Sequence, residues 1–248
     1  MSPLTLGLLV VAALGAGIVD AIAGGGGLIT LPALLAAGLP PSLALGTNKG
    51  GSVWGSGAAL VAYWRAGAVD RKQALFAFPL AFAGSLVGAH LVLRIAPDVL
   101  RPVIIGLLLV AAALLIMRKP GSDTVVGTPR PAVAAALALV IGCYDGFFGP
   151  GTGTFLIVGF VALCGKLLPQ ATADAKVVNF ASNLAAVATF SSAGTIVWAA
   201  ALPMAAGQLV GGVIGARLAL RGGAGLIRGV VLAVSGALVV KLGVDLMR

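Results

Sequence analysis

Apolar runs of roughly 20 residues follow one another along nearly the whole chain, each long enough to cross a hydrocarbon core about 30 Å thick. They are continuous and do not alternate apolar with polar positions, so they predict membrane helices and not the strands of a barrel. The runs fall at Leu4–Ala23, Leu28–Ala37, Leu43–Trp64, Ala74–Leu93 and Val99–Met117. A second set covers Ala132–Phe147, Phe155–Leu168, Ala171–Ser191, Val197–Leu220 and Gly225–Leu246. Between the sets lies Arg118–Pro131, a polar stretch with charges, glycine and three prolines. It divides the chain into a first membrane unit over residues 1–120, a linker over 121–131 and a second unit over 132–248.

The second unit copies the first. GSLVGAHLVLR at Gly84–Arg94 returns 127 positions later as GGVIGARLALR at Gly211–Arg221. The same offset matches Lys49 with Lys176, Gly67 with Gly194 and Arg101 with Arg228. Near the start of each unit the offset slips to 125, where GIVDAIAG from Gly17 aligns with GCYDGFFG from Gly142 and Asp20 with Asp145. The second run of each copy is short and follows a glycine cluster, Gly24–Gly27 in one and Gly149, Gly151 and Gly153 around Pro150 in the other. Short, glycine-interrupted segments at matching positions point to the binding site of a carrier built from two repeats. Irregular backbone at membrane depth survives only where protein or a wet cavity satisfies its polar groups. The expected fold is therefore an all-α polytopic membrane protein of two inverted-topology repeats. Each repeat has about five segments, eight to ten in total, with broken or re-entrant helices at the glycine clusters.

Loop charges supply the inversion. WRAGAVDRK carries Arg65, Arg71 and Lys72, which places it in the cytoplasm, whereas its counterpart SSAGTIVW is uncharged. The next loops partly reverse this, with Arg94, Asp98 and Arg101 against Arg217, Arg221 and Arg228. The linker, with Arg118, Lys119 and Arg130, belongs to the cytoplasmic side, and an odd number of crossings per repeat puts both termini outside. The first apolar run reads as a retained helix, because no Lys or Arg precedes it as in a signal peptide.

Composition agrees with lipid as the main solvent: 60% of residues are hydrophobic, 9% are charged, and Glu is absent. The net charge of +9 lies mostly at the ends of apolar runs, where it sets topology; with few aromatics interleaved it does not indicate nucleic-acid binding. Cys143 and Cys164 lack metal-ligand spacing and read as core residues.

Ionisable groups inside apolar segments are costly and so become functional candidates. Asp20 and Asp145 directly precede the glycine clusters, as proton carriers or as acceptors that hold unwound backbone. Lys49 and Lys176 sit in polar patches with Thr47, Asn48, Ser52, Asp174, Asn179 and Asn183, which favours fixed positive charges on a central cavity over snorkelling. His90, matched with Arg217, is a third intramembrane titratable group. Gln208 reads as interhelical glue. Trp54, Tyr63, Trp64 and Trp198 read as interface anchors, with a cavity-lining place open for Trp54. The glycine-rich stretch is no phosphate loop, since no Lys-Ser/Thr follows at the required spacing.

DAIAGGGGLITLPALLAAGLPPSLALGTNK resembles the opening signature of the TauE/SafE sulfite-exporter family, and DGFFGPGTGTFLIVGF with ATADAKVVNFASN resembles its second-half signature. The resemblance covers essentially the whole chain. It implies a multi-pass carrier of the bacterial inner membrane that moves small sulfur-containing anions such as sulfite or organosulfonates, with the particular anion and the coupling left open. An oxyanion needs positive charge and donors. The candidates here are Lys49, Lys176, Thr47, Asn48, Asn179, Asn183 and backbone N–H groups at Gly25, Gly26 and Gly151. Proton coupling would fall to Asp20, Asp145 or His90. The expected partners are a small anion, protons and the bilayer, without cofactor or metal. The rival readings are a cation or metal carrier with Asp20 and Asp145 as ligands, and an uncoupled anion channel. A membrane enzyme is disfavoured because no nucleophile–base pair or HExxH motif occurs.

Overall fold

The structure is a computed structural model in which the described residues are 1–96, 98–100, 102–104, 106–107 and 130–246, with backbone alone described at 228 and 231–246. Most of the segment expected at Val99–Met117 and nearly all of the linker lie outside these residues. Eight helices appear among the described elements: α1 (Pro3–Ala23), α2 (Gly27–Ala36), α3 (Pro41–Arg65), α4 (Arg71–Leu93), α5 (Pro131–Phe147), α6 (Thr152–Cys164), α7 (Leu168–Ser192) and α8 (Trp198–Leu246). The last is broken at Gly223 (φ 56°, ψ −152°), which separates the two final apolar runs. Proline in the first turn starts α1, α3, α5 and α7, the first and third helices of each copy, where its missing N–H costs nothing.

Among the described residues three helices are long and apolar enough to cross a membrane: Pro3–Ala23, Arg71–Leu93 and Trp198–Ile227 of α8. The helices α3 and α7 have 25 residues each but carry the polar patches. At 10 and 13 residues, α2 and α6 are about 15 and 20 Å long, short of a hydrocarbon core. Each short helix folds back on its predecessor. Gly26 lies against Ala16 and Asp20 of α1, and Gly159 of α6 lies against Leu137 of α5. Of the two expectations for the glycine clusters, a hairpin fits these contacts better than a helix that merely kinks onward.

The copies exchange partners. The first helix of one packs on the fourth of the other, α1 on α8 and α5 on α4, and α3 meets α7 between them. Glycine makes these crossings close. A Cβ on Gly84 would lie 2.2 Å from the Leu139 carbonyl oxygen, and one on Gly88 1.9 Å from that of Cys143. In the other copy a Cβ on Gly211 would lie 2.3 Å from Leu14 O, and one on Gly215 2.4 Å from Ile18 O. The duplicated GSLVGAHLVLR segment is thus a duplicated packing face, in a medium where helices associate by backbone approach and not by the hydrophobic effect. Large apolar side chains outside it, such as Leu4, Val11, Leu75 and Val140, are exposed. Trp54, Trp64 and Trp198 are exposed as well, and Trp54 is not among the residues that line the cavity between α1, α3, α5 and α7. Tyr63 departs from the anchor reading: it is buried and donates its hydroxyl to Ala21 O (2.9 Å).

Gly88→Ala should destabilise the protein by about 1–3 kcal/mol through overpacking. Gly15→Ala, where nothing lies within 4 Å of the new Cβ, should change stability by less than about 1 kcal/mol. Thermal melting of the purified variants in detergent checks both, and equal melting points would contradict the close-packed crossing.

Candidate functional site

Where the two hairpins and the α3–α7 pair meet, the matched acids and lysines come together in crossed pairs. Lys49 of α3 donates to Asp145 of α5 at 2.7 Å, with both side chains almost fully buried. Lys176 of α7 donates to Asp20 of α1 at 3.0 Å. Each lysine therefore pairs with the acid of the other copy. Around Asp145, Thr152 donates to Oδ1 (2.8 Å) and Ser182 to Oδ2. Asp20 accepts longer bonds, from Asn179 Nδ2 (3.3 Å) and the Gly26 N–H (3.4 Å), and Lys176 also donates to its backbone oxygen.

The two pairs are wired to each other. Lys49 donates to Asn183 Oδ1 (2.9 Å), and Asn183 Nδ2 donates to Asn179 Oδ1 (2.9 Å), which leads to Asp20. The glycine clusters make this closeness possible. A Cβ on Gly24, whose φ of 79° already favours glycine, would lie 2.2 Å from the Gly153 carbonyl carbon. A Cβ on Gly149 would lie 2.8 Å from the Lys49 ammonium. Backbone from one hairpin thus touches backbone from the other, and Thr154 closes the seam by donating to Ala23 O (2.6 Å).

A cavity of about 20 Å³, room for about one water, remains among Asp20, Lys49, Asp145, Asn179, Asn183 and Gln208. Nothing larger than a water fits there without rearrangement of the lining side chains. The charges of the site sum to zero, two ammonium groups against two carboxylates. In a low-dielectric interior each partner would be costly alone, which is why the pairs form.

The family profile described as Sulfite exporter TauE/SafE matches residues 9–242. The chain belongs to that family. It is 43% identical to the probable membrane transporter protein ORF9 of Sinorhizobium sp, over 97% of this chain and 93% of the relative. It is 40% identical to the probable membrane transporter protein YfcA of Escherichia coli K12, over 99% and 92%. A probable membrane transporter protein of Haemophilus influenzae is 39% identical over 93% and 91%. No solved structure matches. A multi-pass membrane transporter of the TauE/SafE family is the coarse identity these likenesses give.

Of the expected site residues of this TauE/SafE member, Lys49, Lys176, Asn48, Asn179, Asn183, Gly26, Asp20 and Asp145 gather at the junction. Thr47 does not: its hydroxyl accepts the Val197 N–H (3.0 Å) at the start of α8. Gly25 is buried beside the junction, and Gly151, with φ 85°, precedes α6 without lining the cavity. His90 stands apart, exposed on α4 with its ring bonded to Leu86 O (2.8 Å). Its match Arg217 is also exposed. Sequence reasoning missed Thr152, Ser182 and Ser56, which accepts from Asn183 Nδ2 (3.3 Å), and read Gln208 only as glue. One signal was available: Lys49, Ser52 and Ser56 repeat as Lys176, Asn179 and Asn183, an i, i+3, i+7 stripe on each of two apolar helices.

Asp145→Asn should cost about 3–5 kcal/mol by leaving the buried Lys49 ammonium uncompensated. Lys49→Met combined with Asp145→Asn should cost clearly less than the sum of the single losses. Thermal melting of the four proteins of this double-mutant cycle reads the coupling, and additive losses would contradict it.

Proposed function

We propose that this protein is a secondary transporter, working as an exporter, that moves small sulfur-containing anions such as sulfite or organosulfonates across the bacterial inner membrane by alternating access. The observation that carries the reading is the charge-neutral junction of two crossed Lys–Asp pairs, built from both repeats in an otherwise apolar chain. Family membership supports the anion class and the direction. A site assembled from two repeats opens to either side when one rocks against the other.

Charge balance then constrains the chemistry. The ammonium groups of Lys49 and Lys176 are both taken by carboxylates, so an entering anion is bound by displacing one. The junction would then carry the anion's negative charge, which a low-dielectric site opposes. A proton on the displaced carboxylate restores neutrality. On this reading one proton travels with each negative charge of the substrate. Asp20, with its longer bonds and partial exposure, is the acid that yields; Asp145 stays with its three side-chain donors. The role of His90 in coupling, expected from sequence, finds no support in its exposed position on α4.

Proteoliposome flux with labelled sulfite and sulfoacetate, under an imposed pH gradient, tests the proposal. Lys49→Ala and Lys176→Ala should each weaken anion affinity about tenfold or more, since a charged hydrogen bond contributes roughly 1.5–3 kcal/mol. Asp20→Asn should keep binding but lose pH-driven flux. Unchanged affinity in both lysine variants, or normal pH-driven flux in Asp20→Asn, would sink the mechanism.

The repeats of about five segments are proposed to be inverted, with both termini extracytoplasmic. Reporter tags after Lys72 and within Gly121–Thr128 should then read cytoplasm, and one near Gly194 periplasm. A cytoplasmic reading at both Lys72 and Gly194 would exclude inversion.

A further inference from the structure

A second cavity, of about 520 Å³, lies away from the central junction, where α4, α5 and α7 begin and α6 ends. Its polar lining includes Asp70, Lys72, Gln73, Arg130 and Lys166; its apolar walls include Phe76, Ala134 and Leu167. Lys166 binds Asp70 Oδ2 (3.2 Å) and Asp174. Burial pushes the Asp70 carboxyl up. The Gln73 N–H, the Lys166 ammonium and the Lys72 N–H outweigh this and hold it below the usual carboxylate range. These acids are therefore compensated by Lys166, while Lys72 and Arg130 are exposed and make no ion pair among the described residues.

Gln73 gives the cavity an unmet demand. It stands three residues after the N-cap Asp70, where a capping box would turn its side chain back onto the Asp70 N–H. That N–H is already taken by Asp174 Oδ1 (2.8 Å). Gln73 is 94% buried, and its Nε2 has no hydrogen-bond partner among the described residues, a costly state that a bound acceptor would relieve.

The internal repeat serves as a control on what the fold itself requires. At the matching end of the other copy, 127 positions away, Thr47 replaces Asp174 and makes the same cap bond, to the Val197 N–H. There Leu39 stands for Lys166, Ala199 for Lys72 and Ala200 for Gln73. The scaffold thus closes without charges at this position, and the polar set is an addition to one end only.

We propose that this cavity binds the headgroup of an anionic phospholipid. Its phosphate would be held by Lys72 and Arg130 and would accept from Gln73 Nε2. The apolar walls favour a lipid over a free phosphate ester; Leu167 on the wall is exposed, as are Leu75 and Leu163, next in sequence to the lining residues Phe76 and Cys164, and acyl chains can run along them. Helix ends rich in Lys and Arg meet the membrane where such headgroups lie.

The test uses the full-length protein in phosphatidylcholine nanodiscs, with and without phosphatidylglycerol, read by thermal melting and by native mass spectrometry of retained lipid. Phosphatidylglycerol should raise the melting temperature by about 3 °C or more. Lys72→Gln with Arg130→Gln should abolish that rise and leave melting in phosphatidylcholine unchanged. Gln73→Leu, which keeps both charges, should weaken retention of the lipid about tenfold. A control pair of exposed cations elsewhere, Arg94→Gln with Arg217→Gln, should keep the rise. The site is overturned by a full rise in the Lys72/Arg130 variant, by an equal loss in the control pair, or by an equal rise from soluble glycerol 3-phosphate without phosphatidylglycerol.

Discussion

The fold depends on neutralising four charges where water is scarce. A lone ammonium or carboxylate at membrane depth is costly, and each of the four here has its opposite within 3.0 Å. Had each copy paired its own acid with its own lysine, the halves could separate with their charges satisfied. Crossed pairing removes that option, because every charge depends on the other copy. The same crossing draws the two glycine hairpins into backbone contact, so the electrostatic requirement and the steric one select the same arrangement.

Glycine explains how the requirement can be met. An ion pair near 3 Å needs its two helices close, and lipid gives apolar side chains little reason to leave it for one another. Short backbone-to-backbone crossings at Gly84, Gly88, Gly211 and Gly215 supply the attraction and the distance together. The exposed outer surface of Leu, Val and Trp then follows from the solvent and requires no further account.

Much of this was legible in the sequence. Approximate helix ends, the doubling, the short segments after the glycine clusters and the four charges inside apolar runs all follow from run length, offset and turn chemistry. Which lysine meets which acid does not follow, because the partners stand 96 and 156 positions apart and an offset relates equivalent residues, not neighbours. The lysines therefore read as free charges when they are compensated ones. His90 and Arg217 stand apart for a related reason: they ride on the exposed face of a duplicated packing segment whose inward face is glycine and, in the first copy, the buried Ser85. A hydroxyl near a buried lysine suggests a ligand, but the sequence does not show that Thr47 accepts the Val197 N–H where α8 begins. Thr152 and Ser182 stayed hidden because neither has a polar match in the other copy.

Those unmatched hydroxyls also show where the symmetry is broken. Both acids face a lysine, but Asp145 adds Thr152 and Ser182, whereas Asp20 has only an amide and a backbone N–H at 3.3 and 3.4 Å. Asp145 is 2% exposed and Asp20 18%. A strictly symmetric junction would offer an anion two equal points of entry and no preferred first step. With one acid held by shorter bonds and the other by longer ones, opening begins at Asp20 and Lys176 on the proposed reading. The glycine-lined side of α1 then yields before that of α5. On that reading two related copies gain an order of events from the side chains in which they differ.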